Sequence, residues 1–224
     1  MIFFHILKSF DELLYELMTC LLFYPITLWR SVRHPLRTMD YAKAELEKKS
    51  EEQFRATLRP PIFLFVTIII AHLVELQAVG DSPIIYSNNG LADLINDDTS
   101  LIVLRIMAFA LFPVAMAAIE ARLAHRPINR DGLQKPFYAQ CYLAAPFALA
   151  LSLASTGIRV SNSAMEQAGV LLALVASALY LATETKWLAR STGRGSPRAL
   201  AGAVVGFLAC TLIIAGFAAL LGGA

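Results

Sequence analysis

The chain has 224 residues, of which 57% are apolar and 16% charged, with a formal net charge of +2 and a mean hydropathy of +0.59. Soluble domains sit near about 45–50% apolar and about 25% charged, so this balance is that of a membrane protein and excludes a soluble enzyme, a disordered chain and a DNA-binding domain. The small net charge gives no argument for nucleic acid as a partner.

The opening MIFFHILKSFDELL carries apolar residues before any Lys or Arg and has no small-residue cleavage site, so it does not read as a signal peptide. Phe3, Leu7, Phe10, Leu14, Leu17, Leu21 and Tyr24 recur at steps of three and four, while Lys8, Asp11, Glu12, Glu16 and Thr19 take the other face. That stripe predicts an amphipathic helix lying in the membrane interface or docked on a bundle. The alternative is a short span over 13–29, which contains Glu16 and is cut by Pro25. Trp29, Arg30, Arg33 and Arg37 follow as an aromatic anchor with a basic cluster, a pattern suited to anionic lipid headgroups.

From Asp40 to Arg59 the charges alternate, with Glu45–Lys49 and Glu51–Arg55 at i,i+4 and Asp40 as an N-cap. This predicts a solvated, charged helix, or a docking surface for a cytoplasmic partner, ending at Pro60-Pro61.

Five stretches are long and apolar enough to span a bilayer, which needs about 20 residues. They run over 60–79, 101–121, 137–157, 165–185 and 200–221. The chain therefore reads as an all-α polytopic membrane protein, with residues 1–59 as a cytoplasmic or interfacial arm and 60–224 as a five-helix transmembrane domain. Of the 19 Lys and Arg, 17 fall in the arm and in the second and fourth connections between spans. Basic residues collect on the cytoplasmic side, so the N-terminus is expected inside and the C-terminus outside, in a cytoplasmic (inner) membrane. Only Arg159, in an opposite loop, and Arg105, just inside the second span, depart from that side. The loop over 80–100 holds Asp81, Asp93, Asp97 and Asp98.

Ionisable groups inside a bilayer cost roughly 2.5–3.5 kcal/mol at the centre, so each needs a reason. His72 and Glu75 share a face of the first span, ~18 and ~22 Å from Pro60 along the axis. With Arg105 they form a candidate intramembrane polar site, either a proton or ligand site or a structural pair near the outer boundary. Glu120, Gln140 and Glu184 form a second polar set at the cytoplasmic rim. The matching contexts of the two glutamates hint at a duplicated two-helix unit, or at two carboxylates pairing with nearby bases. Pro113 and Pro146 fall near mid-span, as kinks or as the breaks of a transport site.

Gly202 and Gly206 form a GxxxG, and Gly169, Ala173 and Ser177 a second row of small residues, with Ala144, Ala148 and Ser152 a third. Such rows predict tight packing among spans three to five, or homodimerisation through Gly202 and Gly206. Cys20, Cys141 and Cys210 lie in apolar stretches without a C-x-x-C spacing, and the four histidines are scattered. No metal, cofactor or catalytic motif is predicted.

The stretch Lys135-Pro-Phe-Tyr-Ala-Gln-Cys-Tyr-Leu-Ala-Ala-Pro146, in which a polar start leads into an aromatic–Ala–Pro segment, resembles the third span of the Yip family of membrane proteins. The layout of an arm before five closely spaced spans is similar too, over roughly Leu58 to Leu221. The resemblance implies membrane organisation or trafficking and no catalytic residues. The arm here is short and basic, where that family's arms are longer and acidic. The expected role is that of a non-enzymatic organising, assembly or accessory component with lipid or membrane-protein partners. The alternative is a small transporter or channel.

Overall fold

The computed structural model describes the backbone of residues 2–80, 98–160 and 162–222, and the side chains of 18–80, 99–160 and 162–219. The outward face of the first helix up to residue 17, and the aspartates at 81, 93, 97 and 98, lie outside the side chains described.

The fold is all-helical, with no strand among the described residues. Helix α1 (Ile2–Arg33) leads into α2 (Pro35–Glu45), and a single 3-10 turn (Ser50–Glu52) follows. Then come α3 (Pro60–Val79), α4 (Asp98–Leu123), α5 (Arg130–Arg159), α6 (Ser163–Thr192) and α7 (Ser196–Gly222). Among the described residues, the last five are the helices long and apolar enough to cross a membrane. They run alternately up and down, so α3, α5 and α7 start at the end of the bundle that carries the arm. Pro60 and Pro61 occupy the first turn of α3, where a missing N–H costs nothing. Asn129 and Asn162 cap α5 and α6 through their side-chain oxygens. Pro25, Pro113, Pro136 and Pro146 all lie inside continuous helices.

Helix α5 is the hub. Of its apolar window 56% is buried, against 17% for α6 and for α7, whose surfaces the rest of the chain leaves mostly uncovered. The reason is in its side chains: Ala139, Ala144, Ala145, Ala148 and Ala154 are all buried and let neighbouring backbones approach. At mid-bundle Phe112, Phe147, Tyr180 and Phe207, one from each of α4 to α7, form a knot of rings. Phe147 and Tyr180 stack with centroids 4.4 Å apart. Each such pair adds about 0.5–1.5 kcal/mol beyond its buried area.

The glycine rows act inside the chain. Gly202 faces Ile119 and Leu123 of α4, and a Cβ at Gly206 would meet Ile119 Cδ1 at 2.5 Å and Met116 Sδ at 3.0 Å. The GxxxG thus packs α7 mainly on the second span, with Leu188 of α6 in the fourth span also 3.7 Å from a Cβ at Gly202, and this face is already covered. Gly169 packs against the backbone of α5, where its Cβ would meet the Ala154 carbonyl oxygen at 2.6 Å.

The region after Arg33 differs from the expectation of one charged helix over 40–59. Helix α2 begins at Pro35, with His34 at the N-cap position, and stops at Glu45. Glu45 pairs with Lys48 rather than Lys49, and its other oxygen accepts the Phe54 N–H at 2.7 Å. Arg55 donates to the Glu51 carbonyl oxygen, not its carboxylate. Phe54 adopts a left-handed φ of 55° and is buried, with Tyr41 and Tyr138 against its ring. Breaking the helix turns Phe54, Thr57 and Leu58 inward together, and tertiary burial overrides local helix propensity.

Candidate functional site

Two polar clusters sit at opposite ends of the bundle. At the end away from the arm, Arg105 Nη1 lies 2.5 Å from Glu75 Oε2 and 3.2 Å from His72 Nδ1. Arg159 forms a second ion pair with Glu75 through Oε1. The three residues read together from the sequence do meet, and a fourth joins them. Arg159 is not a loop residue but the last residue of α5. Its signal in the sequence was that it and Arg105 alone lie away from the basic side. One carboxylate, buried to within 5% of its surface, thus ties α3 to α4 and α5, and each oxygen takes a guanidinium. Such a pair is costly to break, because a partner left behind keeps its desolvation penalty.

At the arm end, Glu120 of α4 is fully buried with both oxygens engaged. Lys43 Nζ of α2 lies 2.6 Å from Oε1, and the Trp187 indole N–H of α6 donates to Oε2 at 2.7 Å. Lys43 also lies over the Trp187 ring, 4.3 Å from its centroid. The base for Glu120 therefore comes from the arm, not from neighbouring Arg122. Lys135 of α5 pairs with Glu47 at 2.9 Å, and Arg190 of α6 with Asp40. Three ion pairs and a cation–π contact hold the arm on the bundle, so the stretch from α2 onward is docked, not free in solvent.

Glu184 takes a different partner. Its Oε2 accepts from Gln140 Nε2 at 3.1 Å, in a site where both residues have no exposed surface. Glu184 Oε1, Gln140 Oε1 and the Tyr180 hydroxyl have no hydrogen-bond partner among the described residues. The two glutamates with matching sequence contexts therefore do different work: one holds the arm and the other makes a buried amide–carboxyl pair.

Arg30, Arg33 and Arg37 are exposed where α1 meets α2, beside Trp29, which keeps 68% of its surface open. No group of three or more His, Cys, Asp or Glu among the described residues is placed to hold a metal ion.

Five apolar helices in alternating course make this chain a multi-pass integral membrane protein. Its sequence and fold match no family model, no curated protein and no solved structure.

Proposed function

We propose that the protein is a non-catalytic organising or accessory component of a cytoplasmic membrane, working through its arm. The observation that carries this reading is the latch of Lys43 on Glu120 and Trp187, which turns the arm into a fixed platform on one end of the bundle. A helix pinned at that end presents Trp29, Arg30, Arg33 and Arg37 toward the bilayer surface, where anionic headgroups would contact them. The basic residues of the arm and of the second and fourth connections, 17 of 19, support a cytoplasmic arm with the C-terminus outside. The Yip-type layout of an arm followed by five spans points to the same class of role, with lipids and other membrane proteins as partners.

A second reading, a small transporter, rests on the buried His72, Glu75, Arg105 and Arg159 cluster. The ring knot of Phe112, Phe147, Tyr180 and Phe207 between this cluster and the arm end favours the first reading. Two variants separate the two. Under the platform reading, Lys43→Met abolishes rescue of a deletion strain although the protein still inserts, and proteoliposomes of the native chain pass no ions. Rescue by Lys43→Met, together with ion flux that a mutation at Glu75 stops, would establish the transporter instead.

A further inference from the structure

A cavity of about 250 Å³ opens at the junction of α1 and α2. Arg30, His34, Arg37, Thr38, Tyr41 and Thr57 line it. Two are permanent cations, one is a histidine, three carry hydroxyls and none is acidic. The guanidiniums and the imidazole lie at its exposed mouth, while Thr38 and Thr57 are buried.

The cavity is built, not incidental. Thr38 donates from its hydroxyl to the carbonyl oxygens of Arg30 and His34, which fixes the turn between the two helices. Thr57 is held 2.8 Å from the Tyr142 hydroxyl of α5, which itself donates to the Leu58 carbonyl at 2.7 Å. Arg30 Nη1 donates to the Ala56 carbonyl oxygen at 3.3 Å, which ties this guanidinium to the segment before α3. Helix α2 starts at the rim, its N-cap His34 supplies no side-chain cap, and the positive end of the helix dipole adds to the field.

An apolar track leads to this mouth. Met18, Leu22 and Ile26 follow one another at i,i+4 along α1, are exposed, and run into Trp29. A track of that kind suits an acyl chain, and a cavity smaller than the about 300–1,000 Å³ of drug-sized ligand pockets suits a headgroup alone.

We propose that this cavity is a binding site for a lipid with a phosphomonoester headgroup, its phosphate held by Arg30, His34 and Arg37 and its chain lying along Met18, Leu22 and Ile26. A monoester carries about −1.5 to −2 charge at neutral pH and three acceptor oxygens, which two guanidiniums and an imidazole can match. A diester headgroup offers one charge and fewer free oxygens. Arg33 is equally basic and lies within the same cluster, but it does not line the cavity.

The inference rests on the reading of the arm as a lipid-facing platform, and its test is separate from that reading. Dioctanoyl phosphatidic acid is titrated into the full-length protein in neutral detergent, against dioctanoyl phosphatidylglycerol, glycerol 3-phosphate and inorganic phosphate. Phosphatidic acid is expected to bind at least tenfold more tightly than the other three. Arg37→Gln and the double variant Arg30→Gln/Arg37→Gln are expected to lose that preference, and Arg33→Gln to stay within twofold of the native chain. Leu22→Ser is expected to weaken phosphatidic acid and leave the weak binding of glycerol 3-phosphate unchanged. If the double variant fails to fold by its melting profile, Arg37→Gln alone decides. Equal binding of phosphatidylglycerol, or an equal loss in Arg33→Gln, shows a diffuse basic surface and overturns the site. Equal binding of the two soluble phosphates overturns the lipid as ligand. Since the titration uses no cellular function, it can fail while the Lys43→Met rescue test succeeds, and the reverse.

Discussion

Arg159 and Glu75, 84 residues apart in the chain, meet as an ion pair that closes α5 onto α3 at the end of the bundle away from the arm. Arg105 occupies the carboxylate's other oxygen. Glu75 is therefore a shared counterion, and its value lies in what each arginine loses without it.

Glu75→Gln leaves two guanidiniums facing a neutral amide. With the arginines still a fifth to a quarter exposed, the cost should fall near the low end of the about 3–5 kcal/mol seen when a buried pair loses one partner. Arg159→Gln should cost less, since Arg105 remains. In a double-mutant cycle read by thermal unfolding in detergent, the two losses should overlap by about 0.5–3 kcal/mol. Additive losses would show that the pair contributes nothing to holding α5 on α3.

Glycine substitutions should grade by what the new methyl meets. At Gly169 it meets the backbone oxygen of Ala154, which cannot move without moving α5, so Gly169→Ala should cost about 1–3 kcal/mol. At Gly206 it meets the ends of the Ile119 and Met116 side chains, which can rotate away, so Gly206→Ala should cost less. At Gly216 nothing lies within 4 Å, and Gly216→Ala should be neutral or stabilising by up to about 1 kcal/mol through helix propensity. Melting temperatures of the three proteins in one detergent give the order, and a Gly206→Ala protein weaker than Gly169→Ala would contradict it.

Acid should loosen the arm. Burial works to raise the Glu45 carboxyl, but the Lys48 ammonium and the Phe54 N–H outweigh it and hold the group below its ordinary value. A carboxyl depressed in the fold adds stability that is complete above its ordinary value and fades as pH falls through the folded one. Protease cleavage after Lys48 or Lys49 should therefore stay slow at neutral pH and accelerate below about pH 4.5. Glu45→Gln should be cleaved at the same raised rate at every pH. A native chain whose cleavage does not change across that window would remove Glu45 from the docking of Phe54.

A reporter placed after Ala224 and one inserted at Lys49 should lie on opposite sides of the membrane, because five spans separate them and Lys49 sits at the basic end. Finding both on one side would break the five-span course. A third reporter before Met1 decides whether α1 crosses or lies along the surface: the same side as Lys49 means it lies along the surface.

The latch on the arm shows where pattern reading fails. Glu120 is followed two residues later by Arg122, and local spacing offers that arginine as its base. The true base, Lys43, is 77 residues away. Nothing in the sequence around Lys43 marks it, because it stands in a run of alternating charges where each residue has several neighbours of opposite sign. The same run hides the break after Glu45, since its helix propensity is sound and only the burial of Phe54 and Leu58 against α5 opposes it.

Composition and apolar run length determined the membrane, the five spans and the class of the fold, because a bilayer imposes a fixed thickness and accepts few charges, and those rules act on each segment separately. That His72 and Glu75 would serve one site, where both meet Arg105, was half legible, since residues three apart along a helix share a face. What only the tertiary structure decided was which partner each buried charge takes: Arg159 for Glu75, Lys43 and Trp187 for Glu120, and Gln140 for Glu184. It also decided which helix each glycine row packs on. Those choices depend on how helices far apart in sequence are turned toward one another, and a pattern of period 3.6 fixes a face without naming the neighbour that covers it.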